Sequence, residues 1–337
     1  LGYNPRDYYT GRSPLEALSI GVDMKTTDVA LRCNIVTVST DELPYEEKTI
    51  IDHSSSEIST EDAAVLLEAV RKELENDIYK FYVGTSYRHL TIWDKGEVVD
   101  LTPPHDVLGQ KIGQYLPKDD KLRAMMKKSY DILSNHPINV ERMKRGLNPA
   151  NSLWFWGAGT RPMLTSFEEK TGHKGAMISA VDLLKGIAVG AGMKVIEVEG
   201  ANGGLDTNYE GKADAAVDVL LNGGCDFAYI HLEAPDEMGH QGSYERKVKA
   251  IENLDKRIIK RVVEKMEAAG EDFRMLVLPD HPTPVAIRTH VSDPVPYMLY
   301  DSTDKKNNTW SYNEKDGEAS GNYIAEGHTI INRLFEK

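Results

Sequence analysis

The chain has 337 residues, 40% of them hydrophobic and 28% charged, enough to bury a sizeable core in two lobes or one large α/β domain. With 53 Asp and Glu against 40 Lys and Arg, its formal charge of −13 argues against nucleic-acid and anionic-membrane partners. A local basic pocket for one small anion remains open. The two cysteines, Cys33 and Cys225, stand far apart and outside any CxxC; this excludes a disulfide scaffold or zinc ribbon and fits a reducing, cytoplasmic compartment. No apolar run approaches the ~18 residues of a bilayer span. The sequence opens on Leu1-Gly2-Tyr3 rather than on Met, so a targeting segment is neither seen nor excluded.

Residues 1–20 are polar-aromatic and turn-rich, with Pro14 near the first turn of a short helix. Residues 28–38 are rich in β-branched side chains and read as a strand with Arg32 and Asn34 on one face. Thr60 is the expected cap of a helix that carries Ala63, Leu66, Leu67, Val70 and Leu74 at helical spacing. Runs 78–83 and 87–93, separated by Gly84-Thr85-Ser86, predict a hairpin, and this small α+β unit closes near Thr102-Pro103-Pro104-His105-Asp106. A helix over 122–133 follows. Apolar strand candidates 152–156, 176–179, 194–198, 227–232, 274–278 and 295–300 then alternate with helices over 181–191, 212–221 and 245–269. Such alternation predicts a mostly parallel sheet covered on both faces, with its ligands beyond the carboxyl ends of the strands. In the last of these helices Val248, Ile251, Leu254, Ile258 and Val262 form a stripe expected to pack on the sheet. The polar segment 302–321 reads as a surface loop.

The chemistry collects after three of those strands. Run 227–232 leads into Glu233-Ala234-Pro235-Asp236-Glu237-Met238-Gly239-His240, run 274–278 leads into Pro279-Asp280-His281, and His290 stands shortly before the next strand. Asp and His offer oxygen and nitrogen ligands suited to Mn²⁺, Zn²⁺, Fe²⁺ or Mg²⁺. Five such ligands exceed what one catalytic ion with an open position needs and suit a two-metal site that clamps a phosphoryl group. Taken alone, a single pair such as Asp236 and His240 is more often a cap of the helix that follows than a metal site.

These residues resemble the alkaline phosphatase superfamily, and within it the archaeal-type branch of the cofactor-independent phosphoglycerate mutases. The matching phrases run in family order over nearly the whole chain: Leu1-Gly2-Tyr3-Asn4-Pro5, Tyr9-Thr10-Gly11-Arg12, Ala30-Leu31-Arg32-Cys33-Asn34, Tyr87-Arg88-His89, Thr102-Pro103-Pro104-His105-Asp106, Gly175-Ala176-Met177-Ile178-Ser179, Asp206-Thr207-Asn208-Tyr209 with Lys212, His231-Leu232-Glu233-Ala234-Pro235-Asp236-Glu237, and Asp293-Pro294-Val295-Pro296. The resemblance implies a doubly wound α/β metal domain over residues 1–23 and 119–337, with an inserted α+β lobe over 24–118 that closes on the substrate. It implies two divalent ions and no bisphosphoglycerate. Asp236, His240 and His290 would hold one ion, and Asp280 and His281 would contribute to the other. The implied reaction interconverts 3-phosphoglycerate and 2-phosphoglycerate through a phosphoserine.

In relatives the nucleophilic serine lies just before the Leu-Gly-Tyr phrase, and a metal-ligating aspartate lies further upstream. Ser13 and Ser19 do not match that motif. The expectation is that these 337 residues by themselves lack mutase activity and bind the second metal poorly. Candidate substrate contacts are Arg32 and Arg88, whose guanidinium forks suit carboxylate or phosphate, then Asn34, His89, His105, Asp106, Lys174 and Lys212. Glu233 is a candidate acceptor behind the ligands and His231 a packed histidine. The competing readings are a metal-dependent phosphatase or phosphonate-cleaving enzyme on the same core, and a non-catalytic remnant that binds ligands.

Overall fold

The β-branched run forms β1, Val29–Val38, and all ten of its residues are buried. Pairing on both edges explains this in a computed structural model that describes residues 1–304 and 309–336. The sheet also contains β2 (Ile50–Asp52), β3 (Tyr79–Tyr82), β4 (Arg88–Trp93) and β5 (Ser152–Thr160). β1 pairs antiparallel with β4, with β5 and, at its end, with β2, while β3 adds to β4 as the expected hairpin. Leu31, Cys33 and Ile35 point to a core filled by Leu66, Leu67 and Val70 of the helix Thr60–Leu74 and by Leu122, Met126 and Leu133 of the helix Asp120–Leu133. Each such buried side chain contributes about 1.5–3 kcal/mol of transfer free energy. On the other face Ala30 and Leu90 meet Ala17 of the helix Arg12–Ser19. The helix starting at Thr60 is capped one residue earlier than expected, by the Ser59 hydroxyl accepting from the Asp62 N–H at 3.2 Å.

Run 152–156, expected in the parallel sheet, belongs here instead and extends to Thr160. The physical reason is β1, which is buried along its whole length, pairs with β4 on one edge and needs a partner on its second edge. Two glycines let segment 10–14 lie against β5. A Cβ at Gly159 would stand 2.4 Å from the Thr10 carbonyl oxygen, and the Ser13 hydroxyl donates to the Gly157 carbonyl. One unit therefore spans Tyr9–Met163, wider than the expected 24–118, and the other comprises Leu1–Tyr8 with Leu164–Lys337.

Between β2 and the helix Thr60–Leu74, three successive non-glycine residues adopt positive φ: Ser55 (51°), Ser56 (55°) and Glu57 (48°). Left-handed backbone costs roughly 1–2 kcal/mol per L-residue, so something must offset it. Asp52 accepts from the Ser54 N–H (2.9 Å) and hydroxyl (3.0 Å), the Ser56 N–H (2.6 Å) and Asn148 Nδ2 (2.8 Å). Buried Arg142 donates to the Ser55 carbonyl. Partial burial pushes the Asp52 carboxyl up, but the bonds from Asn148, Ser54 and Ser56 outweigh it and hold the pKa at about 2. A depressed folded pKa contributes stability that is present above the unfolded value and lost as pH falls from near 4 towards 2. Asp52→Asn is expected to lower stability at pH 6 by about 1–2 kcal/mol after discounting for solvent screening. Urea unfolding at pH 6 and pH 3 should show the difference between variant and wild type shrinking on acidification.

The second unit alternates strands and helices as expected. β6 (Gly175–Ile178) lies between β7 (Lys194–Val195) and β8 (Phe227–Ile230), all parallel. Met177 faces Phe167, Ala188 and Ala191 on one side, and Ala176 faces Val219 and Cys225 on the other, so helices cover both faces. β9 (Arg274–Val277) and β10 (Met298–Asp301) form a separate antiparallel pair. The long helical run from Tyr244 to Ala269 contains a π-helical turn over Leu254–Ile259. Its later stripe, Ile258, Val262 and Met266, packs on Tyr209, Ala213 and Val217 of the helix Tyr209–Leu221. Val248 and Ile251, expected to pack on the sheet, are exposed, because the π turn adds a residue and shifts the helical phase. Within 302–321 a short helix forms over Glu314–Ala319, while 305–308 lie outside the described residues. Among the described residues no helix is long and apolar enough to cross a membrane.

Candidate functional site

The carboxyl end of β8 runs into the short helix Ala234–His240, started by Pro235 in its first turn. Asp236 and His240 sit four apart and so share one face. His290 arrives from the segment between β9 and β10. One ligand atom from each of Asp236, His240 and His290 lies within 4.8 Å of the other two. His240 Nε2 is 3.0 Å from His290 Nε2, and the Asp236 carboxylate stands 3.3 Å from each imidazole. His240 Nδ1 is 3.0 Å from the Arg288 carbonyl; a carbonyl only accepts, so Nδ1 carries the proton and Nε2 presents its lone pair. Donors around a tetrahedral ion at about 2.0–2.1 Å would stand about 3.3–3.4 Å apart. One carboxylate and two imidazoles at this spacing fit a divalent ion.

Asp280 and His281 follow β9 and stand beside this trio rather than in it. Their side chains approach to 3.5 Å, and the His281 ring lies 3.7 Å from that of His290. Thr283, which no motif singled out, donates to Asp236 and sits 3.2 Å from His281 Nδ1. Only the tertiary path of the loop reveals it.

Two other candidates fall elsewhere in this unit. Lys212 is 1% exposed, and its ammonium donates to the carbonyls of His231 (3.2 Å) and Asn202 (3.4 Å). Burial pushes its pKa down, opposed by the Glu233 carboxylate. Lys212 is thus a buried clamp on the chain leaving β8, not a free anion hook. Lys174 is exposed and precedes β6, at the amino end of the parallel strands, opposite the edge that carries Asp236. His231 is partly buried, with Nδ1 3.4 Å from the Ser179 hydroxyl; burial lowers its pKa.

In the unit Tyr9–Met163, sheet register sorts the remaining candidates. Asn34 pairs with Arg88 and Cys33 with His89, so His89 points to the core face, away from Arg32, Asn34 and Arg88. It is 2% exposed, Nδ1 accepts from the Gly84 N–H at 3.2 Å, and burial lowers its pKa to about 4. Arg32 is not a vacant fork. Nε and Nη2 each donate to Glu16 at 2.9 Å, and its guanidinium lies 4.4 Å from the Trp156 ring centre. Trp156 donates from Nε1 to Asn34 at 3.1 Å and meets the His105 ring edge-on at 5.3 Å. His53 approaches His105 (6.2 Å) and Tyr87 (5.7 Å). Arg88 is exposed, 5.1 Å from the Tyr87 ring. His105 Nε2 lies 3.6 Å from Asp106. The result is a polar-aromatic face of Asn34, His53, Arg88, His105 and Trp156. Glu16, His53 and Trp156 carried no motif signal because their roles come from strand pairing and helix docking.

Comparison with known proteins places the chain in a family. Residues 89–324 match the metalloenzyme superfamily model, and residues 1–139 match that of the 2,3-bisphosphoglycerate-independent phosphoglycerate mutases. A 2,3-bisphosphoglycerate-independent phosphoglycerate mutase of Methanosarcina barkeri is 50% identical over 310 residues, covering 90% of this chain and 75% of that protein. A probable mutase of the same description from Geobacter sulfurreducens is 42% identical, covering 100% of this chain and 84% of its own. Among solved structures, a Pyrococcus horikoshii protein superimposes with a TM-score of 0.77 at 27% identity, covering 99% of this chain and 79% of that one. The cofactor-independent phosphoglycerate mutase of Thermoplasma acidophilum gives 0.64 at 25% identity, covering 99% and 83%. The fold is thereby the α/β, alkaline-phosphatase-like one, and divalent metal use comes with the superfamily. The chain belongs to the 2,3-bisphosphoglycerate-independent phosphoglycerate mutase family of isomerases.

Proposed function

We propose that this protein serves the metal-dependent interconversion of 3-phosphoglycerate and 2-phosphoglycerate, with Asp236, His240 and His290 holding one divalent ion and Asp280 and His281 contributing to a second. The observation that carries this reading is the convergence of three donors, with the His240 tautomer set by the Arg288 carbonyl. Oxygen and nitrogen donors admit Mn²⁺, Zn²⁺, Mg²⁺ or Fe²⁺. When bound, such ions neutralise phosphoryl charge and acidify an attacking hydroxyl.

The unit Leu1–Tyr8 with Leu164–Lys337 is the metal-binding part of this reading, and Tyr9–Met163 is the substrate-binding part. In the latter, exposed Arg88 offers a planar fork to a carboxylate or phosphate. Asn34 and the His105–Asp106 pair offer polar groups for the glycerate hydroxyl. Arg32 acts through Trp156 and Glu16, which hold the face in shape. Lys212 holds the backbone after β8 at His231, so that the chain entering the Ala234–His240 helix starts from a set position.

The test uses protein expressed from its complete reading frame, loaded with Mn²⁺, and phosphorus NMR of 3-phosphoglycerate. Conversion to 2-phosphoglycerate without added bisphosphoglycerate is expected. Inorganic phosphate as the sole product would transfer the reading to a phosphatase, and no turnover by metal-loaded enzyme would refute it.

A further inference from the structure

Thr283 is 3% exposed. Its hydroxyl donates to Asp236 Oδ1 and lies 3.2 Å from His281 Nδ1. A hydroxyl has one proton to give, and an ionised carboxylate accepts only. That proton is committed to Asp236, so towards His281 the hydroxyl oxygen is the acceptor. Nδ1 of His281 then carries a ring proton, and Nε2, 3.5 Å from Asp280 Oδ2, is the nitrogen left to serve as ligand.

The loop is anchored from a second direction. The Lys247 ammonium donates to the Thr283 carbonyl at 2.6 Å. Gly239 leaves room for this approach, since a Cβ there would lie 2.4 Å from that carbonyl oxygen and 3.0 Å from Lys247 Nζ.

We propose that Thr283 is a positioning residue that couples the two candidate ligand groups. Its single hydroxyl orients the Asp236 carboxylate on one side and selects the His281 tautomer on the other. The trio Asp236–His240–His290 and the pair Asp280–His281 are thereby set together. Nitrogen ligands are commonly oriented by hydrogen bonds on their other ring nitrogen; here one side chain serves a carboxylate and an imidazole from different segments. This inference rests on the metal-binding reading above.

Two measurements on the chain as it stands test it. Calorimetric titration with Mn²⁺ compares wild type, Thr283→Val and Thr283→Ser. Val keeps the shape and loses the hydroxyl, while Ser restores it. The expected result is affinity weakened about 10–100-fold in Thr283→Val and within about threefold of wild type in Thr283→Ser. Melting curves of the metal-free variants check that they fold alike. The long-range ¹H–¹⁵N spectrum of metal-free wild type is expected to show His281 protonated at Nδ1, a readout that needs no variant to fold. Equal Mn²⁺ affinity in Thr283→Val, or His281 protonated at Nε2 in wild type, overturns the coupling while leaving the metal site standing. A wild-type chain that binds no Mn²⁺ overturns both.

Discussion

Replacing Asp236 by Asn is expected to weaken Mn²⁺ binding by at least about 100-fold, beyond what is lost when only a supporting hydrogen bond is removed. Asp236 is the one anionic donor in a trio whose other members are imidazoles facing each other at 3.0 Å. Asn keeps the shape and a carbonyl oxygen but removes the charge that offsets desolvation of a divalent cation. It also presents an NH₂ to one of its neighbours, the His240 or His290 nitrogen or the Thr283 hydroxyl, where only an acceptor now stands. Isothermal titration of the variant and wild type reads the change directly. Binding within threefold of wild type, about 0.65 kcal/mol by the tenfold-per-1.4 rule, would remove Asp236 from the ligand set.

The second large effect falls in the other unit. Glu16→Ala is expected to destabilise it by about 3 kcal/mol, because it strands a buried guanidinium. Arg32 is 8% exposed, its two bonds to Glu16 are 2.9 Å each, and the Glu16 side chain is 14% exposed. Removing both partners is a different experiment. Arg32→Met combined with Glu16→Leu should recover most of the loss, since an apolar pair leaves no charge unpaired. Arg88→Ala, at an exposed position, should change stability by less than about 0.5 kcal/mol. Urea unfolding of the four proteins separates the residue that holds the face from the residue that presents it. A Glu16→Ala variant as stable as wild type would show that Arg32 is solvated and available to an anion after all.

The same contrast shows where sequence reasoning reached and where it stopped. Asp236 and His240 were legible as candidates because helix periodicity and a strand-end position are local facts; Asp280, His281 and His290 also stand near strand ends, but of the separate antiparallel pair β9–β10 rather than of the expected parallel sheet. Thr283 was not legible, because its partners lie 47 residues earlier in the chain and two residues before it, and a threonine two places after a histidine carries no signal. Arg32 and Arg88 read alike as cations on strands. Only the docking of the helix Arg12–Ser19 closed one of them with Glu16. His89 sat beside Arg88 in a motif phrase, yet strand alternation sends neighbours to opposite faces. Run 152–156 had the composition of a parallel strand, and its assignment turned on which edge of β1 was open.

By itself the sequence determined the local alphabet of this protein. It set the β1 run, the helical stripes, the glycines where backbones approach, and the aspartates and histidines gathered at strand ends. These follow from backbone sterics and from a side-chain period of two or 3.6 residues, which need no distant partner. The tertiary structure decided which charges are already paired, which imidazole nitrogen faces the ligand cluster, where the unit boundary falls and which hydroxyl joins the two ligand groups. Those outcomes depend on contacts between segments far apart in the chain, whose geometry no local pattern encodes.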